Sequence, residues 1–255
     1  MGKVTVIKNR IYSDFIIPPR LDEYENAIKE LVENGYIHLT FREYRKLLDS
    51  GTLVNKKYFV NRHDIDTDVS TAKEFFKIEK KYGVKASYYF RLSTLDFDFM
   101  KEIAAYGSEA SYHFEEIAQY CKDYHIKTKE DMFKYIDEIK EVFTKNFKMI
   151  EDNLGYKLET VCSHGDFVNR KIGITNNEIT KDKAIREKLG ILCETYDKDI
   201  MNSFDIYVSD RPYPIFYTPK PIFEYIGEKN VICMLSHPRQ WRKNIFINLF
   251  DNLKR

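Results

Sequence analysis

The chain lacks most of the features that would assign it quickly to a functional class. Its four cysteines contain no CxxC pair, so neither a zinc ribbon nor a disulfide framework is indicated. No apolar run approaches the ~20 residues that a membrane-spanning helix needs, and no glycine-rich phosphate loop follows a predicted strand. The formal net charge is only +1, which gives no electrostatic reason to expect a nucleic acid as partner. These absences leave an ordinary globular protein.

The N-terminal segment also lacks a signal for export. Residues 1–15, MGKVTVIKNRIYSDF, contain neither a long apolar core nor a small-residue cleavage site. We therefore expect a cytoplasmic protein without a membrane span. The sequence shows no internal repeat and no linker, which predicts a single domain over residues 1–255.

Strands alternate with helices along nearly the whole chain. Apolar periodicity predicts helices over residues 21–34, 41–48, 69–82, 96–106, 128–154 and 181–189, and a C-terminal helix after Pro238. Strands are predicted over 36–40, 58–66, 84–91, 109–113, 158–163, 191–194, 206–209, 215–218 and 231–236. Residues 1–20 open with an alternating segment at 4–7. About seven βα units favour a parallel α/β barrel over an open doubly wound sheet.

The stretch 58–68, YFVNRHDIDTD, has two carboxylates at the end of a predicted strand. Side chains alternate along a strand, so Asp64 and Asp66 point the same way. One carboxylate could hold a metal ion while the other accepts a proton. The competing role, capping the next helix, is already supplied by Thr67 and Asp68. The pair is therefore free for chemistry.

Three histidines follow other predicted strands: His113, His164 and His237. In a parallel barrel the C-terminal strand ends open onto one face, so these imidazoles would meet the carboxylates. A lone histidine at a strand end is more often a satisfied polar residue than a ligand. The coincidence of three favours a site for Zn²⁺ or a similar divalent ion in a hydrolase.

These segments resemble, in their order, the polysaccharide deacetylases (the NodB-like carbohydrate esterases). The matching segments are RHDID, AKEFFKIEKKYGVKASYYFR, SEASYHFE, SHGDF and LSHP, preceded by ENAIKELVENGYIHLTFREYRKLL. The resemblance covers about residues 21–240. It implies a distorted (β/α)7, TIM-like barrel that removes N- or O-acyl groups from sugars with one divalent metal ion.

The resemblance also implies a role for each matching residue. Asp64 would be the general base, and Asp66 would bind the metal together with His113. His237 would be the general acid that protonates the leaving group. Zn²⁺ is the expected ion, with Co²⁺, Ni²⁺ or Fe²⁺ as alternatives.

One departure concerns the metal. Those enzymes have a second histidine four residues after the first, and this chain has Ile117 there, which cannot ligate. We favour His164 as the replacement because it follows a strand. Glu115 and a water molecule are the alternatives.

A second departure concerns the partner of the base. SHGDF stands where those enzymes have an arginine-proline-glycine motif, so the arginine that pairs with Asp64 is open among three candidates: Arg62, Arg170 and Arg211. Asp210 either tunes the acid histidine or is simply a turn residue before Pro212.

Substrate contacts are predicted from aromatic and basic residues near the same face. Trp241 is the only tryptophan and lies four residues past His237, and Phe167 ends the SHGDF segment. Arg211 is the predicted polar contact.

The sequence thus predicts a metal-dependent hydrolase that removes an acyl group, with N-acetyl favoured, from an amino sugar or a glycan-biosynthesis intermediate. Two alternatives remain open. One is an amidase or cyclic-imide hydrolase on the same scaffold. The other is a barrel that binds glycan without catalysis, because Ile117 replaces a ligand.

Overall fold

A curled, mostly parallel sheet forms the centre of the protein. The structure, a computed structural model, describes residues 3–54, 56–241 and 246. Within these residues the strands are β1 (Ile37–Leu39), β2 (Tyr58–Ile65), β3 (Ser87–Phe90), β4 (Glu109–Phe114), β5 (Thr160–Ser163), β6 (Cys193–Glu194), β7 (Ile206–Asp210), β8 (Tyr217–Thr218) and β9 (Val231–Ser236).

The strand order is that of an incomplete barrel. The sheet runs β6-β5-β4-β3-β2-β9-β7-β8, and β1 pairs with the first half of β2. All neighbours are parallel except β7 and β8. Across the part of the chain that is described, no pairing joins β6 to β8. The predicted distorted (β/α)7 barrel is confirmed in this curled form.

Helices cover the outside of the sheet. They are α1 (Lys3–Phe15), α2 (Leu21–Glu33), α3 (Phe41–Asp49), α4 (Val69–Tyr82), α5 (Phe97–Tyr106), α6 (Glu116–Asp123), α7 (Lys129–Phe133), α8 (Ile136–Leu154), α9 (Phe167–Ile172), α10 (Lys183–Leu189), α11 (Lys198–Met201) and α12 (Pro238–Trp241). Local sequence sets several of their ends. Thr40 and Glu43 form a capping box at the start of α3, and Gly83 ends α4 with φ of 67°. Among the described helices, none is long and apolar enough to cross a membrane.

Strand β2 is the strand around which the site is built. All eight of its residues are buried, and it pairs with β1, β3 and β9. Its side chains alternate between two environments. Arg62 and Asp64 face the barrel interior, where they contact Cys162 of β5. His63 faces outward and contacts Glu79 of α4.

Some predicted elements differ from those observed. The alternating segment at 4–7 lies in helix α1, because four residues of alternation are too few to override helical hydrogen bonding along thirteen residues. The long predicted helix over 128–154 is broken at Lys134 and Tyr135 into α7 and α8. The strands predicted over 84–91 and 191–194 are shorter, since only part of each run has a paired neighbour. Most of the predicted C-terminal helix after Trp241 lies outside the described residues.

Candidate active site

Three side chains at the ends of β2, β4 and β5 converge on one point at the C-terminal edge of the sheet. The Oδ1 atom of Asp66 lies 3.2 Å from Nε2 of His113 and 2.9 Å from Nδ1 of His164. The two imidazole nitrogens are 3.2 Å apart. The Asp66 Oδ1 atom is buried and has no hydrogen-bond partner among the described residues. A cation would satisfy this oxygen and the lone pairs of both imidazole nitrogens.

The spacing of these three atoms fits a small divalent ion. Bonds of about 2.0–2.1 Å at tetrahedral angles would separate neighbouring ligand atoms by about 3.4 Å, and the observed separations are 2.9–3.2 Å. One carboxylate and two imidazoles are also a donor set that Zn²⁺ and similar ions accept.

Hydrogen bonds fix the imidazole of His113 and the backbone of His164. Nδ1 of His113 lies 3.0 Å from the carbonyl oxygen of Cys162, so it carries the proton and leaves Nε2 free as an acceptor. The backbone N–H of His164 donates to the Phe114 carbonyl at 2.8 Å, and Asn176 donates to the His164 carbonyl at 2.6 Å. These contacts tie His164 to the end of β4 although it belongs to the loop after β5.

The alternative ligand Glu115 has a different partner. Its carboxylate binds the Arg91 guanidinium through contacts of 2.6–2.9 Å. Ile117, at the position where the resembled enzymes have a histidine, is fully buried in the core between the sheet and α6. The structure therefore brings His164 to Asp66 and His113. The Glu115 carboxylate is bound by Arg91 instead, although one of its oxygens lies within 4.8 Å of a ring nitrogen of His164.

Asp64 lies beside this cluster and is held by a buried arginine. Arg62 donates from Nε to Oδ1 at 2.8 Å and from Nη2 to Oδ2 at 2.7 Å. Burial, the largest single influence, would raise the pKa of Asp64, but the charge and hydrogen bonds of Arg62 together with the charges of His113 and His237 hold the pKa at about 2. Of the three arginines considered as partner, the structure gives this place to Arg62, while Arg170 and Arg211 are exposed. Oδ2 of Asp64 is 3.6 Å from Nε2 of His113.

Cys162 is a member of the site that sequence reasoning missed. Its Sγ atom accepts a hydrogen bond from Nη2 of Arg62 at 2.7 Å and lies 3.6 Å from both carboxylate oxygens of Asp64. Burial raises the pKa of the thiol well above its ordinary value, so it stays protonated. The signal was available: Cys162 precedes His164 by two residues at the end of a strand, where alternate side chains share a face. Its place in the apolar run 158–163 is equally typical of a core residue.

We expect Cys162→Ser to retain most of the activity of this site and Cys162→Val to lose about tenfold in kcat, equivalent to about 1.4 kcal/mol. Serine can still accept from Arg62, whereas valine cannot and its branched carbon crowds the guanidinium. The measurement is kcat at matched metal content for the two variants. Equal rates for serine and valine would show that Cys162 only fills space.

His237, after β9, is paired with a buried carboxylate. Its Nδ1 is 2.6 Å from Oδ1 of Asp210, and its backbone N–H donates to Oδ2 at 2.7 Å. Burial would lower the pKa of His237, but the negative charge of Asp210 together with those of Asp66 and Asp64 raises it to about 9. The imidazole is therefore protonated at neutral pH, as a general acid must be.

Trp241 does not form the sugar-stacking surface that the sequence predicts for it. The side chain is 1% exposed, and its Nε1–H donates to Oδ2 of Asp210 at 2.8 Å. The guanidinium of Arg20 covers the indole ring at 4.7 Å. Trp241 thus supports the partner of His237 from behind and presents no free ring face to a ligand.

The other two predicted substrate contacts are on the surface. Phe167 is 61% exposed and begins α9, three residues after His164. The ammonium group of Lys122 lies 5.7 Å from the centre of its ring. Arg211 is exposed and directly follows Asp210, where its backbone N–H donates to the Phe216 carbonyl at 2.7 Å. Both positions flank the strand ends that carry the site.

Comparisons with known proteins give fold-level similarity. No family model matches the chain, and no curated protein matches it. Solved structures do: a Streptococcus pyogenes deacetylase, PplD, in complex with acetate, has 16% identity and a TM-score of 0.48, covering 75% of this chain and 76% of that one.

A CE4 family pseudoenzyme from Bacillus anthracis has 18% identity and a TM-score of 0.45, covering 78% of this chain and 61% of its own. A mutant of that pseudoenzyme with restored enzymatic activity has 19% identity and a TM-score of 0.46, covering 78% and 63%. Identities below 20% carry no residue-level information, so the roles in this chain depend on its own geometry.

Proposed function

We propose that the chain is a metal-dependent hydrolase that removes an acyl group, N-acetyl in the first place, from an amino sugar or a glycan-biosynthesis intermediate. One observation carries the proposal. The atoms Asp66 Oδ1, His113 Nε2 and His164 Nδ1 lie within 3.2 Å of one another. They are flanked by an ionised carboxylate and a protonated imidazole.

The residues around the cluster supply a general base and a general acid. A divalent ion held by Asp66, His113 and His164 would polarise the acyl carbonyl and acidify the attacking water. Asp64 accepts the proton of that water. Because its pKa is about 2, Asp64 is ionised but weakly basic, so an acidified water is what makes this transfer practicable.

His237 supplies the proton that the leaving group needs. Held by Asp210, its imidazolium donates a proton to the leaving amine as the tetrahedral intermediate collapses. Arg62 keeps Asp64 ionised and fixes the direction of its carboxylate. The exposed ring of Phe167, beside His164, offers a surface on which a sugar can stack.

Elemental analysis and an acetate-release assay test the proposal together. We expect about one divalent ion per chain in the wild type and none in an Asp66→Ala/His113→Ala double variant, with acetate release from N-acetylated amino sugars lost in parallel. The Glu115→Gln variant is the matched control and should keep its metal, because Glu115 binds Arg91.

The alternatives have their own outcomes in the same assay. Hydrolysis of simple amides or cyclic imides in preference to acetylated sugars would favour an amidase. Absence of metal from the wild type, even after incubation with Zn²⁺, Co²⁺, Ni²⁺ or Fe²⁺, would overturn the hydrolase proposal and leave a glycan-binding barrel.

A further inference from the structure

A cavity of about 350 Å³ opens beside the loop that carries His164. This volume falls within the range of about 300–1,000 Å³ that small-molecule sites occupy. Its walls come from the loop after β5, from α9 with the turn that follows it, and from the start of α7. The lining residues that matter here are Asp166, Asn169, Arg170, Lys129 and Glu178.

The cavity adjoins the candidate active site. Gly165 and Asp166, which directly follow His164, form part of its wall. A carboxylate oxygen of Asp166 and a ring nitrogen of His164 lie within 4.8 Å of each other. A ligand could therefore occupy the cavity with one group while another group reaches the metal cluster.

The acidic groups of the cavity are already neutralised. Lys122 binds the carboxylate of Asp166 at 2.6 Å, and Asp166 also accepts the N–H of Val168 at the start of α9. Lys181 pairs with Glu178. These acids therefore offer little repulsion to an incoming anion.

The donors that remain are available for a ligand. Within the described residues, the guanidinium of Arg170 makes no ion pair or hydrogen bond, and the ammonium group of Lys129 contacts only the Phe133 ring, at 5.7 Å. Asn169 is 4% exposed. Its Oδ1 accepts from Asn176 at 3.0 Å and from the N–H of Asp166 at 3.1 Å, but its Nδ2 is buried without a partner. A buried donor left unsatisfied costs free energy unless a ligand completes it.

We propose that this cavity binds a phosphate group. Two unpaired cations match the charge of a phosphate dianion, and the planar guanidinium of Arg170 can bind two of its oxygens at once. A concave wall strengthens the attraction by excluding water. If the proposed hydrolase function holds, on which this next step rests, the preferred substrate is a phosphorylated acyl-amino sugar whose phosphate lies in the cavity.

Binding of inorganic phosphate to the protein as purified tests the cavity without any turnover. Titration in low-salt buffer, followed by NMR shifts of backbone amides, should perturb residues around Gly165 and Gly173 with a single dissociation constant. The Arg170→Gln/Lys129→Gln variant should weaken this binding by at least about tenfold, since two charged contacts are lost. Lys101→Gln, which removes one exposed charge on α5, should leave the constant within about twofold of wild type.

Three results would overturn the proposal: no saturable shift with phosphate, an equal loss in Lys101→Gln, or unchanged affinity in the double variant. Acetate is included as a second probe. Binding of acetate as tight as that of phosphate would mean a general anion site and would contradict the assignment to phosphate.

Kinetics then separates this inference from the proposed function. With N-acetylglucosamine 6-phosphate as substrate, the cavity variant should show a KM raised about tenfold at unchanged kcat. With the unphosphorylated sugar both constants should stay the same. Phosphate binding with no acetate release from either sugar would sink the hydrolase function but leave the cavity in place. Acetate release with equal KM values for the two sugars would contradict only the assignment of a phosphorylated sugar as the preferred substrate.

Discussion

Asp64→Asn is expected to lower kcat for acyl release by about 10²–10⁴-fold while leaving the metal content unchanged. The asparagine amide has nearly the shape of the carboxylate but cannot accept a proton from the attacking water. Asp64 is not one of the three converging ligands, so the ion should remain. Measured together, kcat and metal content per chain separate loss of the base from loss of the metal.

The same change has a second consequence, because Arg62 is fully buried and Asp64 is its ionic partner. Removing one partner of a buried ion pair leaves an uncompensated charge and costs about 3–5 kcal/mol of unfolding free energy. The lost rate could then reflect a partly unfolded enzyme. Denaturant unfolding of Asp64→Asn, measured beside the kinetics, quantifies this cost.

A double variant separates the two effects. Arg62→Gln/Asp64→Asn replaces the ion pair with two amides that can hydrogen-bond to each other, so stability should recover while kcat stays low. Recovery of both would mean that the rate had depended on folding alone. A single Asp64→Asn variant with kcat within tenfold of wild type would remove Asp64 from the role of base.

The order of strands and helices could be predicted because their patterns are local. Strand β2 shows this best. Eleven residues contain the apolar residues that begin the strand at Tyr58, the carboxylates at its end, and Asp68, which caps the next helix. The parallel arrangement then brings its C-terminal end to those of β4 and β9. That step needs only the general rule that such ends share one face.

What failed were properties that depend on contacts distant in sequence. The position of Trp241 after His237 predicts a sugar platform, but contacts with Arg20 and Asp210, far away in the chain, bury the side chain. Cys162 lies in an apolar run that is typical of the core, and nothing near it in sequence reveals its contact with Arg62. In helix α1, nothing in the sequence indicates which part of the fold the segment packs against. Its short apolar alternation is compatible with either a strand or a helix.

The pair of His237 and Asp210 leads to a prediction on pH. A pKa of about 9 means that His237 loses its proton, and with it the ability to act as an acid, as pH rises through 9. Asp210→Asn removes the negative charge that raises this pKa, which should fall towards the ordinary histidine value of about 6.5. The alkaline limb of the profile of kcat/KM against pH should therefore shift to lower pH.

The size of the effect depends on pH in a way that a structural defect would not reproduce. At pH 8 the protonated fraction falls about 30-fold if the pKa moves from about 9 to about 6.5, whereas at pH 6 it changes by less than about twofold. We therefore expect Asp210→Asn to be almost as active as wild type at pH 6 and severely impaired at pH 8. A complete kcat/KM profile between these values is the measurement.

Trp241→Phe is the matched control, because it removes the indole donor to Asp210 but keeps the carboxylate and both of its contacts with His237. Its alkaline limb should stay near pH 9 even if the packing around Arg20 makes the protein less stable. A uniform loss at all pH values in Asp210→Asn would show that Asp210 serves only to hold the fold. An unmoved limb in that variant would mean that the group titrating on the alkaline side is not His237.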